Sequence, residues 1–202
     1  MPRNHLTSRL ALPLVAATPI SALAHTGVDG GLHHGFLAGI QHPLTGADHL
    51  TAMLALGVWS ALVARRAWPD MLWAPASFLI MLIAGAAAGL LGVQPPAAEP
   101  MIAVSLLVFG LLVATRLRLA VWAAGSLAGV FAFFHGVAHG QGFARADDAA
   151  LTLAGMLAST VALLAVGIAF GWAMRQGRYR WVARAAGGAV ALFGVALIGG
   201  VA

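Results

Sequence analysis

Six apolar stretches, each close to 20 residues and almost free of charge, dominate the chain. They run over about 44–64, 72–93, 100–115, 119–140, 150–174 and 182–201. A helix needs about 20 residues to cross the hydrocarbon core of a bilayer. In hydrocarbon a chain must also satisfy its backbone polar groups internally. The expected fold class is therefore all-α: a polytopic membrane helix bundle with six transmembrane helices. Composition agrees. Only 8% of residues are charged and 61% are hydrophobic, with mean hydropathy +0.91, where soluble domains carry about 25% charged residues. So much apolar surface also excludes disorder. The absence of cysteine removes disulfides, thiolate metal sites and iron–sulfur clusters from consideration.

Residues 1–24 read as a cleaved signal peptide. Arg3 and Arg9 form a positive n-region, Leu10 to Ala17 a short apolar run, and Ala22-Leu23-Ala24 an A-x-A cleavage site. The mature chain, 25–202, is then one six-helix transmembrane domain beginning at His25. Residues 31–64 would make a single helix about 51 Å long, too long for one span, and Pro43 interrupts it. A short helix over about 31–41 is expected at the membrane surface or re-entrant. Pro43 suits the first position of the span that follows.

The loops orient the bundle. Arg65 and Arg66, then Arg116 and Arg118, then Arg175, Arg178, Arg180 and Arg184 fall in alternate loops, eight arginines against Arg145 in the others. Cytoplasmic loops are the arginine-rich ones. The reading is a multi-pass protein of the bacterial inner membrane with mature N- and C-termini in the periplasm. The six tryptophans all fall near the cytoplasmic boundary. The high pI reflects this orientation, and no nucleic-acid partner is expected.

Ionisable groups inside a membrane are functional by default, and the chain has eight histidines against six acidic residues. His42, Asp48 and His49 form one cluster; His42 and His49 are seven apart and would share a helix face. His135 and His139 form another at i and i+4, a bidentate spacing for metal. Glu99 opens the third span. With the arginine loops inside, all six residues fall in the outer part of the membrane. Imidazoles with one or two carboxylates suit nickel, cobalt, zinc or copper better than calcium or magnesium. His25, Asp29, His33 and His34, in the external N-terminal segment, could help capture metal. Met53, one turn beyond His49, reads as packing. Glycine pairs at small-xxx-small spacing, Gly85/Gly89, Gly125/Gly129, Gly136/Gly140 and Gly167/Gly171, point to closely packed helices.

At these residues the chain resembles the HupE/UreJ family of bacterial nickel/cobalt permeases. HPLTGADH at 42–49 matches that family's His-x5-Asp-His signature, and FHGVAHG at 134–140 its Phe-His-Gly-x-Ala-His-Gly signature. Glu99 to Ser105 looks like the family's third-span opening. The family's second motif usually continues to a Glu, where this chain has Gly142; Glu99 or Asp147 would then supply the missing carboxylate. The resemblance implies a permease without enzymatic activity. It would carry Ni²⁺ or Co²⁺ as transported ligand rather than as a prosthetic group, and serve periplasmic or cytoplasmic metal-handling proteins. The alternatives are a membrane-bound His-metal enzyme and a metal sensor or delivery subunit.

Overall fold

A computed structural model describes residues 35–66, 68–144, 148–175 and 177–200. The signal-peptide region, His25, Asp29, His33, His34 and Asp147 lie outside the described residues. The described chain is helical throughout. The order is α1 (Phe36–Thr45), α2 (Ala47–Val63), α3 (Trp73–Leu90), α4 (Ala98–Thr115), α5 (Val121–Phe143), α6 (Ala149–Ala173), a 3-10 turn at Gly177–Tyr179, and α7 (Arg180–Ile198). Five helices are long and apolar enough to cross a membrane, and α1 with α2 makes a sixth, broken span bent by 79°. The helix limits fall within a few residues of those expected from the apolar stretches.

One boundary differs. The sequence pattern places Pro43 at the start of a span. Instead α1 runs through Pro43 to Thr45, and the break falls at Gly46. Pro43 has no N–H to give to its helix, but a last turn survives because its carbonyls find donors. Gly46 N donates to His42 O at 3.0 Å, and Thr45 Oγ1 donates to Gln41 O at 3.0 Å. Gly46 then takes an extended conformation, φ −77° and ψ 107°. His42 is thus in the last turn of α1, and Asp48 and His49 are in the first turn of α2. They do not share one helix face, as their spacing suggested; they face one another around a bend.

Glycines set the close contacts. In α3 against α5, a Cβ on Gly85 would meet Phe133 O, and one on Gly136 would meet Leu82 O; Gly89 and Gly140 repeat the arrangement one turn on. The two glycine pairs read from sequence on these helices therefore mate. Ser77 Oγ donates to Gly125 O across the same seam at 2.7 Å. The α1–α6 contact uses Gly39 and Gly155, the α2–α6 contact Gly57 and Gly167, and the α4–α7 contact Gly110 and Gly187. Without a hydrophobic drive between helices in lipid, such backbone proximity supplies the packing energy. A core of Leu56, Trp59, Phe78, Leu82, Leu106 and Phe109 fills the centre. Met53 is fully buried with it. Ile80, Val130, Phe170 and Leu192 face outward, as lipid-facing positions do.

The two ends differ. One gathers the arginines: Arg116 Nη2 donates to Met174 O at 3.2 Å and Arg175 Nη2 to Ala64 O at 2.7 Å, tying the ends of α4, α6 and α2. The other holds the histidines. Gly85→Val should overlap the α5 backbone and cost about 1–3 kcal/mol or more. Gly142→Ala, where no atom lies within 4 Å of the added carbon, should leave the fold intact. Thermal unfolding of both variants in detergent checks this; equal melting temperatures would refute the packing account.

Candidate metal centre

The bend in the first span and the last turns of α5 together build the site. α1 contributes half-buried His42, α2 contributes buried His49, and α5 contributes His135 and His139, which are 0% and 3% exposed. One ligand atom from each of His42, His49 and His139 lies within 4.8 Å of the others. The rings form a short ladder. His42 and His139 have centroids 4.9 Å apart, His139 and His49 4.5 Å, and His49 and His135 5.3 Å. The sequence separates the pairs by some 90 residues, and the bundle brings all four together.

Hydrogen bonds fix the rings. Asp48 Oδ1 accepts from His49 Nδ1 at 2.8 Å, and Phe131 O accepts from His135 Nδ1 at 2.9 Å. Both acceptors lack a proton to give, so each ring donates from Nδ1, which leaves Nε2 as the ligand atom of the neutral ring. The Nε2 atoms of His49, His135 and His139 are buried and have no hydrogen-bond partner among the described residues. A buried polar atom left unpaired costs about 1–3 kcal/mol. Two of these atoms, on His49 and His139, belong to rings that with His42 can offer a cation three ligand atoms within 4.8 Å of one another, and the carboxylate–imidazole pair is the arrangement that orients metal ligands. Nitrogen donors in this number fit a divalent transition metal and not calcium or magnesium. Gly46 makes room for the pair: a Cβ there would lie 3.1 Å from Asp48 Oδ1 and 3.2 Å from His49 Nδ1.

Asp48 reaches the cluster through His49. Glu99 is exposed in the first turn of α4 and lies outside the triad. Asp148 is exposed at the start of α6. Two aromatic neighbours were not read from sequence. Phe143 stacks on His139, with centroids 6.0 Å apart and planes 11° from parallel, and meets His42 edge-on at 5.4 Å. Phe78 lies 5.9 Å from His135. Phe143 is four residues after His139, so helical spacing carried that signal. Phe78 comes from α3, and nothing local links it to the motifs.

Fold and cluster together define a polytopic helical membrane protein with a cluster of imidazoles among its helices. Residues 12–197 match the family described as HupE / UreJ protein. The chain is also 39% identical over 189 residues to Protein HupE of Rhizobium leguminosarum bv. viciae, covering 92% of this chain and 95% of that protein. The chain belongs to the HupE/UreJ family. No solved structure matches it.

If the cluster holds a divalent metal and Asp48 acts by holding His49, Asp48→Asn should weaken binding of that metal about 10–100-fold and leave the number of sites unchanged. Calorimetric titration of the purified protein checks this; unchanged affinity would remove Asp48 from the site.

Proposed function

We propose that the protein is a secondary permease that imports a divalent transition metal, nickel or cobalt, across the bacterial inner membrane. The observation that carries this reading is the group of orphaned Nε2 atoms at the end of the bundle opposite the arginines. The positive-inside rule sets the arginine end in the cytoplasm, so the histidines open to the periplasm and both mature termini lie there. His42 is the most accessible of the four rings and His135 the most enclosed. A cation stripped of water would meet His42, His139 and His49 first and His135 one helical turn deeper. Its inward path would then run between α2, α4 and α5. His42, His49, His135 and His139 are the proposed ligands, with Asp48 positioning His49. Glu99 and the N-terminal His25, Asp29, His33 and His34 are proposed to act in capture outside the cluster.

Energetics need no nucleotide. A +2 ion moving inward gains up to about 4.6 kcal/mol at 100 mV, from ~2.3 kcal/mol per charge. At about 1.4 kcal/mol per decade that sustains more than a thousandfold concentration ratio. The reading is of a carrier with metal as cargo, and it assigns no chemical turnover.

Proteoliposomes containing only this protein should take up labelled Ni²⁺ when the interior is made negative. His49→Ala and His139→Ala should reduce uptake to the level of empty liposomes. His135→Ala should retain most Ni²⁺ binding in equilibrium dialysis yet lose transport, which separates the deeper ring from the outer triad. Uptake by His49→Ala equal to wild type at equal reconstitution would defeat the proposal.

A further inference from the structure

The arginine end holds a second site, unrelated to the histidines. Arg116, Arg118, Arg175, Arg180 and Arg184, with Thr115, line a cavity of about 520 Å³ between the ends of α4, α6 and α7. No carboxylate lines it. None of the five guanidiniums is ion-paired among the described residues. Of the described acidic residues, Asp48, Glu99 and Asp148 are at the starts of α2, α4 and α6, the histidine end. Asp70 instead accepts from Arg66 N at 3.1 Å and lines a neighbouring cavity that shares Arg118 with this one; it makes no ion pair with that arginine. Five like charges therefore converge without a protein counter-ion.

Arg116 is held for this placement. It ends α4 in the left-handed conformation, φ 54°. Glycine takes that conformation freely, and a residue with a Cβ does so at a cost of about 1–2 kcal/mol. Its Nη2 is used on Met174 O, while its Nε is buried and unpartnered. Burial first, then the charges of Arg180 and Arg184, lower its pKa from the ordinary arginine value. The two neighbouring guanidiniums add to the effect of burial rather than oppose it, and arginine remains protonated throughout. Arg175 is fixed as well, by Ala64 O and by the Trp172 ring 4.6 Å below its guanidinium.

The surroundings distinguish the occupant. Trp68, Trp73, Trp122, Trp172 and Trp181 are exposed at this end of the bundle. Exposed tryptophans gather at the level of lipid headgroups, so the cavity opens where phosphodiesters are concentrated. Forked guanidiniums bind phosphate oxygens in pairs. Basic pockets between transmembrane helices on the cytoplasmic side take anionic headgroups.

We propose that this cavity binds the phosphate of an anionic phospholipid, which supplies the counter-charge for the five arginines and joins the ends of α4, α6 and α7. The shared chemistry is a phosphate anion, and the test separates the lipid from the free ion. The full chain in neutral detergent is titrated with short-chain phosphatidylglycerol, with phosphatidylcholine and with inorganic phosphate. Bound lipid is counted by native mass spectrometry. Phosphatidylglycerol should bind saturably and raise the melting temperature, while the other two should do neither. R180Q/R184Q, at two exposed positions, should weaken phosphatidylglycerol binding about thirtyfold, and R180K/R184K should recover most of it. If R180Q/R184Q melts early without lipid, R118Q gives the same comparison with about a fivefold loss. Equal phosphatidylglycerol binding by wild type and the glutamine variants would overturn the site. Binding of phosphatidylcholine as tight as phosphatidylglycerol would overturn its charge selectivity. Saturable inorganic phosphate binding that displaces phosphatidylglycerol at equal concentration would overturn the lipid assignment in favour of a soluble anion.

Discussion

A helix that breaks inside an apolar surrounding frees backbone groups that must find partners, and here the break at Gly46 is what creates the site. The carbonyls freed near Pro43 are taken by Gly46 N and the Thr45 hydroxyl. The α1 segment lies against α6 through Gly39 and Gly155, which anchors the part of α1 that precedes the break. Once the bend is held, His42 and His49 come together from the two sides of it. The i and i+4 pair of α5 completes the arrangement from a different part of the chain.

The remainder of the molecule supports this corner mainly by close packing, with a few polar bonds such as Ser77 Oγ to Gly125 O across the α3–α5 seam. Bilayer lipid is as apolar as a leucine side chain, so the helices gain little by hiding apolar surface from it. They gain by letting backbones touch at glycine. Polar bonds are kept for places where direction matters. His49 and His135 are oriented by Asp48 and Phe131 O, and the arginine end is tied by Arg116 and Arg175 to backbone carbonyls.

Much of this was legible in the sequence because period and charge are strong signals in a chain with so little polarity. The spans, the alternation of arginine loops and the common depth of the histidines follow from counting. The mating of Gly85/Gly89 with Gly136/Gly140 could be suspected from spacing, but not the partner. The bend was misplaced because proline more often begins a helix than sits in its last turn, and the local rule does not see Thr45 and Gly46 rescuing that turn. Glu99 was grouped with the histidines on depth alone. Depth fixes one coordinate and says nothing about azimuth, and the residue is exposed in the first turn of α4, outside the histidine group. Phe78 was invisible because its contact with His135 is purely tertiary.

The glycine seams divide the bundle. Backbones touch at glycine in α3 with α5, α4 with α7, and α1 and α2 with α6. His42 and His49 belong to one such unit and His139 to another. A cation held by all three, as proposed, would bridge two glycine-seamed units, so that binding it and fixing their spacing would be one event.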